Sequence, residues 1–99
     1  MIAVKPLFKP GQILVTPGCL EKLEEAGQSF GELLQRHLAG DWGVVCPEDA
    51  EANTQALKDG SRLLSAYVLK TGEKVWIITE AEDDNGNRAA TSGLRPCEY

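Results

Sequence analysis

Residues 62–80 are the stretch that most restricts how this chain folds. Two runs rich in β-branched and aromatic side chains, Arg62–Leu69 (RLLSAYVL) and Lys74–Glu80 (KVWIITE), flank Lys70-Thr71-Gly72-Glu73. Such runs favour the pleated strand, and a glycine-bearing tetrapeptide between them favours a hairpin. The unbroken apolar stretch Val75–Ile78 predicts a strand covered on both faces. With Thr71-Gly72 as the turn centre, Val68 faces Val75, Ala66 faces Ile77 and Leu64 faces Thr79. That side is nearly all apolar and is expected to pack on helices. The other side then pairs Tyr67 with Trp76, Ser65 with Ile78, Leu69 with Lys74 and Leu63 with Glu80. It has an aromatic centre and a charged rim. A slip of one residue would exchange the faces.

Upstream, Gln12–Thr16 (QILVT) reads as a short strand between Pro10-Gly11 and Pro17-Gly18. Met1–Val4 is a further strand candidate. Three helices are predicted next. The first has Thr16 as N-cap, Pro17 in the first helical position, Leu20, Leu23 and Ala26 as its stripe, and Gly27 as its stop. The second opens with the capping box Ser29-Phe30-Gly31-Glu32, carries Leu33, Leu34, His37 and Leu38 on one side, and ends at Gly40. The third starts at Cys46-Pro47-Glu48-Asp49, whose acids suit the positive end of the helix dipole, and closes at Asp59-Gly60. It presents Ala50, Asn53, Ala56 and Leu57 on one side and is weakly amphipathic, so a surface position is expected. After the hairpin come an acidic loop, Ala81–Asn87, and a third, weaker strand within Arg88–Leu94. Gly93 and Pro96 restrict that strand to a short or edge position. The fold class expected is α+β: two or three short helices packed on a small antiparallel sheet containing a C-terminal hairpin or meander.

A chain of 99 residues is one globular domain at most, spanning 1–99. Its net charge of −5, with only ten scattered basic residues, disfavours direct nucleic-acid binding. The three cysteines Cys19, Cys46 and Cys97 form no C-x-x-C pair, which argues against a disulfide framework or zinc knuckle and for a reducing compartment. No apolar run approaches the length of a membrane span and no signal peptide is visible, so a cytoplasmic protein without membrane contact is expected. No cofactor or metal is expected.

His37 and Asp41, with Glu48, Asp49 and Glu51 nearby, are the candidates for catalysis or metal ligation. The plainer reading gives His37 a partial positive charge at a helix C-terminus, lets Asp41 bond to it or to turn amides, and makes the three acids first-turn residues. Trp42, between Gly40 and Gly43, is either a stacking platform or a plug in the core beneath a glycine turn. Cys19 reads as a buried small hydrophobe. Tyr67 and Trp76 form either a second core beneath Leu7, Phe8, Ile13 and Val15, or an aromatic patch for a partner.

Several of these residues recur together. His37 with Gly40-Asp41-Trp42-Gly43, then Glu48-Asp49, Asn53, Leu57 and Gly60, and Arg62–Tyr67 followed by Gly72, Lys74 and Trp76–Glu80, resemble a family of small prokaryotic proteins. Pro10-Gly11-Gln12 and Thr16-Pro17-Gly18 fit as well, and the resemblance covers residues 7–80. That family is uncharacterised. Its members look like genes of plasmids, phages and other mobile elements, and some carry the label "plasmid-related protein" or "type I restriction endonuclease subunit M". The second label conflicts with the chain, which lacks the Gly-rich cofactor loop and the Asn/Asp-Pro-Pro-aromatic motif of a modification subunit. The resemblance implies a fold and a family, not an activity. Together with the absence of a catalytic constellation, it leads to the expectation of an accessory or binding protein of mobile elements acting through protein contact. The contact regions expected are the Tyr67/Trp76 face and the edge left by the last strand, which would also serve a homodimer. The alternative is a small metal-dependent hydrolase or toxin-like nuclease, which requires His37, Asp41 and one of Glu48, Asp49 or Glu51 to converge.

Overall fold

Local capping sets the first half of the molecule. The computed structural model describes residues 6–99, so the candidate strand Met1–Val4 lies outside the described residues. The element order is β1 (Gln12–Val15), α1 (Pro17–Ala26), α2 (Phe30–Leu38), α3 (Pro47–Asp59), β2 (Leu63–Val68), β3 (Lys74–Thr79), β4 (Ala90–Leu94) and a final 3-10 turn (Pro96–Glu98). Thr16 Oγ1 accepts the Cys19 amide at 3.1 Å, and Ser29 Oγ accepts the Glu32 amide at 3.2 Å, so both expected N-caps form. On α1 the inward residues are Cys19 and Leu23, whereas Leu20 faces solvent. The expected stripe was therefore rotated by about one residue.

The fold is α+β: the described residues form three helices and a four-stranded sheet of order β1-β4-β3-β2. β2, β3 and β4 form an antiparallel meander. β1 joins β4 in parallel, Gln12 opposite Ala90 and Val15 opposite Gly93, which makes the sheet mixed. The last strand is thus interior, not an edge, and its far side is taken by β1. Gly93, which argued for an edge, lies where α2 presses on the sheet: a Cβ there would overlap the Phe30 ring. Pro96 follows the strand and opens the 3-10 turn.

The hairpin register differs by one residue from the expected one. Leu69 N–H donates to Glu73 O at 2.8 Å and Gly72 N–H donates to Leu69 O at 2.9 Å. The loop is therefore Lys70-Thr71-Gly72, with Gly72 at φ 91° supplying the left-handed residue that a three-residue hairpin loop needs. Tyr67 consequently pairs with Val75, and Ala66 with Trp76. Tyr67 and Trp76 point to opposite faces of the sheet.

The helices cover one face. Leu63, Ser65, Tyr67 and Leu69 of the β2 side, with Val75, Ile77 and Thr79 of β3, are all buried there. Cys19, Leu23, Leu33 and Phe30 pack on Tyr67, Leu69, Val75 and Ile77. A second cluster joins Trp42, Ala56 and Leu63 with Phe8, Val45, Ala50 and Leu57. The expected blanket of Leu7, Phe8, Ile13 and Val15 over a Tyr67–Trp76 pair is not what forms: Phe8 belongs to this second cluster, and Leu7 and Ile13 are exposed. The outer edge of β2 is occupied. Asn53 on α3 gives its Nδ2 to Leu64 O at 2.7 Å and takes Leu64 N–H on Oδ1 at 3.0 Å. The chain from Trp42 to Val44 bonds both backbone groups of Ala66. That approach is close enough that a Cβ on Gly43, which sits at φ 74°, would run into the Ala66 carbonyl. An edge closed in this way offers no free ladder to another strand.

Candidate functional site

His37 lies on the inner face of α2 and is fully buried. Its Nδ1 is 2.5 Å from Ser65 Oγ and its Nε2 is 2.9 Å from Thr79 Oγ1. Thr79 Oγ1 is 2.7 Å from Thr91 Oγ1, which donates to the Pro10 carbonyl at 2.7 Å. Each hydroxyl has one proton, so the roles follow from the far end. Thr91 spends its proton on Pro10 and accepts from Thr79. Thr79 then accepts from Nε2–H, and Nδ1 accepts from Ser65 Oγ–H. The imidazole that fits is neutral, with its proton on Nε2. Burial, and secondarily the Arg88 charge, push its pKa down to about 4. The expected partial positive charge is therefore absent, and the ring is neutral. Phe8 and Trp42 enclose the ring edge-on, with centroids at 5.2 Å and 5.7 Å.

A serine on an imidazole resembles a nucleophile and its base, but both side chains have 0% exposure and no cleft reaches them. The pair ties α2 to β2 and β3. It also makes stability pH-dependent. The unfolded chain binds this proton near pH 6.5 and the folded one near pH 4, so stability falls as pH drops between those values. The expected loss is about 1 kcal/mol by pH 5.5 and about 3 kcal/mol by pH 4. His37 is the one histidine of the chain, so urea melts from pH 7 to pH 5, above the main carboxylate range, read chiefly this group. A flat profile from pH 7 to pH 5 would contradict the neutral buried imidazole.

Asp41 is not brought to His37. It is exposed, its Oδ2 takes Arg36 Nε–H at 2.7 Å and its Oδ1 takes the Gly43 amide at 3.1 Å. The Arg36 hydrogen bond holds its carboxyl below the usual range. Asp41 therefore shapes the turn after α2, as the plainer reading expected. Glu48 and Asp49 lie in the first turn of α3. Among the described residues, no group of three or more His, Cys, Asp or Glu is placed to hold a metal. The convergence that the hydrolase or nuclease alternative requires is not formed.

Trp42 is buried against Phe8 and His37, the plug reading of its position. Tyr67 is 1% exposed, donates its O–H to Asp41 O at 2.6 Å and lies under the Arg36 guanidinium at 4.6 Å. Burial pushes its phenol up to about 12. Neither residue is available to a partner. Cys19 is buried and its thiol is pushed up to about 11, by burial first and by Glu98 second, so its place in the first turn does not activate it.

Two residues have roles that the sequence pattern did not announce. Arg88 is buried beside a recess of about 360 Å³ that Lys9, Glu82 and Asn87 also line. Its Nη1 donates to Ser61 O at 2.7 Å and Glu80 O at 2.9 Å, and its Nη2 to Ala56 O at 3.2 Å. The guanidinium is thus committed to the protein. Tyr99 is the second: its ring meets Trp76 edge-on at 5.6 Å, taking the place expected for Tyr67.

That contact lies on the sheet face away from the helix-side clusters. Leu14, Leu64, Ala66, Val68, Trp76, Ile78 and Leu94 point there by strand alternation. Val68 is 49% and Leu14 44% exposed, and Trp76 is half-buried. Beside them a groove of about 290 Å³ is lined by Leu14, Val15, Thr16, Ser92 and Gly93. Among the described residues no helix is long and apolar enough to cross a membrane.

Among the described residues the geometry defines a mixed four-stranded sheet with one face covered by helices and the other, bearing Trp76, partly covered. The chain matches no family model, no curated protein and no solved structure.

Proposed function

We propose that this protein is a non-catalytic binding module that docks another protein on the outer face of its sheet. The observation that carries this reading is the exposure of Val68 and Leu14 on the same sheet face as the half-buried Trp76, a face that neither helix-side cluster of the described residues uses. Exposed apolar area around an aromatic anchor is the usual composition of a protein contact. The titratable groups first suspected of chemistry are engaged in structure instead. The resemblance over residues 7–80 supports an accessory role in mobile genetic elements, and three unpaired cysteines support a cytoplasmic one.

Photo-cross-linking tests it in the cells that carry the gene. A photoreactive residue at position 68 is expected to give a discrete protein adduct that one at Glu24, exposed on α1, does not give. Val68→Glu should abolish binding of the protein so identified while changing stability by no more than about 0.5 kcal/mol. Equal adducts at the two positions, or none at 68, would exclude the outer face as the docking surface.

A further inference from the structure

One peptide already sits on the outer face: the chain's own segment Arg95–Tyr99. Glu98 Oε1 accepts Thr16 Oγ1–H at 2.8 Å and the Arg95 amide at 2.8 Å. Tyr99 leans on Trp76 at 68° between ring planes, and Arg62 Nη1 donates to its hydroxyl at 2.5 Å. These contacts are all at the surface, and Tyr99 remains 66% exposed. The same face carries the apolar positions Ile78, at 7% exposure, and Leu94, at 8%. Surface hydrogen bonds of this kind contribute little each, so the segment lifts at low cost. Arg62 and Lys74 are exposed on this same face, on a chain whose net charge is −5.

We infer that Arg95–Tyr99 is a strap holding the docking surface in cis, and that the partner presents an acidic residue followed by an aromatic one, which displaces it. The inference deepens the reading of the outer face above and rests on it. The strap shows what the face recognises. A carboxylate meets the Thr16 hydroxyl, an aromatic ring meets the edge of Trp76, and a hydroxyl on that ring meets Arg62. A partner segment of the same chemistry satisfies the same groups and extends into the groove beside Thr16. A tethered segment has an effective concentration in the millimolar range, so the strap excludes weak competitors and admits a partner that makes additional contacts, such as with Val68.

The test uses the full chain with the strap released by Glu98→Ala and Tyr99→Ala together, and the free peptide Arg95–Tyr99 carrying C97S as probe. The chain has two tryptophans, so indole N–H resonances separate Trp76 from the buried Trp42. The peptide is expected to shift the Trp76 resonance saturably in the released variant and leave Trp42 in place. In the unaltered chain the midpoint should lie at least about tenfold higher. Arg62→Ala in the released variant should weaken binding. An unchanged Trp42 resonance confirms folding, and Tyr99→Ala alone serves if the double variant does not fold. No peptide-dependent shift of Trp76, or equal midpoints with and without the strap, overturns the inference. If the peptide fails while the adduct at position 68 still forms, the strap is refuted and the docking face stands.

Discussion

His37→Leu is expected to lower the stability of this protein by about 4 kcal/mol. Leucine is slightly larger than histidine, so the loss is not a cavity. It comes from the groups left behind. Ser65 Oγ–H loses its acceptor and Thr79 Oγ1 loses its donor, both at 0% exposure where water cannot replace them. Each orphaned buried group costs about 1–3 kcal/mol. The remaining bonds, Thr79 to Thr91 and Thr91 to Pro10, then lose the polarisation of the longer chain. Adding Ser65→Ala to His37→Leu should recover more than about 1 kcal/mol, because it removes the stranded hydroxyl. Urea melts of the two single variants and the double variant give the coupling directly. A loss below about 1 kcal/mol for His37→Leu would mean that the chain of hydroxyls contributes nothing to the fold. His37→Leu should also remove most of the slope of stability between pH 6.5 and pH 5, since no other imidazole is present and the carboxylates protonate mainly below that range.

The parts of this fold that could be read from sequence are the local ones. Thr16-Pro17 and Ser29–Glu32 start helices because their side chains bond amides within three residues, so the signal and its partner share one short window. The hairpin was legible as a hairpin, but its register depended on whether Gly72 closes a two-residue or a three-residue loop. Both fit Lys70-Thr71-Gly72-Glu73, and the choice moves Tyr67 from one face to the other. The position of β4 was illegible for a different reason. Its second neighbour is β1, from the far end of the chain, and no local feature of Ala90–Leu94 records a parallel partner there. His37 was singled out correctly as unusual and assigned the wrong charge. Its partners Ser65, Thr79 and Thr91 come from three strands, and only their convergence makes a neutral imidazole preferable. The aromatic surface survives with one member exchanged: Trp76 remains on it, and Tyr99 stands where Tyr67 was expected.

Arg88→Met should cost about 4 kcal/mol, although Arg88 reads in the sequence only as the first residue of a weak strand. Methionine keeps the apolar stem and removes the fork. Ser61 O, between α3 and β2, and Glu80 O, just after β3, then lose the donors that Arg88 gives them, and Ala56 O in the last turn of α3 keeps only the Gly60 amide. The Glu82 carboxylate, 3.9 Å from Nη2 and partly exposed, contributes little to the difference. Arg88→Lys separates charge from geometry. An ammonium keeps the positive charge but is a single point of donation, unable to span three carbonyls held by different elements, so it should restore less than half of the loss. Thermal melts rank the three proteins, and amide exchange locates the damage. The Gly60 amide, bonded to Ala56 O at 2.9 Å, should exchange faster in Arg88→Met than the amides of α1 do. Full recovery by lysine would mean that the site needs only a cation. Uniformly faster exchange would mean that Arg88 supports the whole core and not the junction of α3 with the sheet.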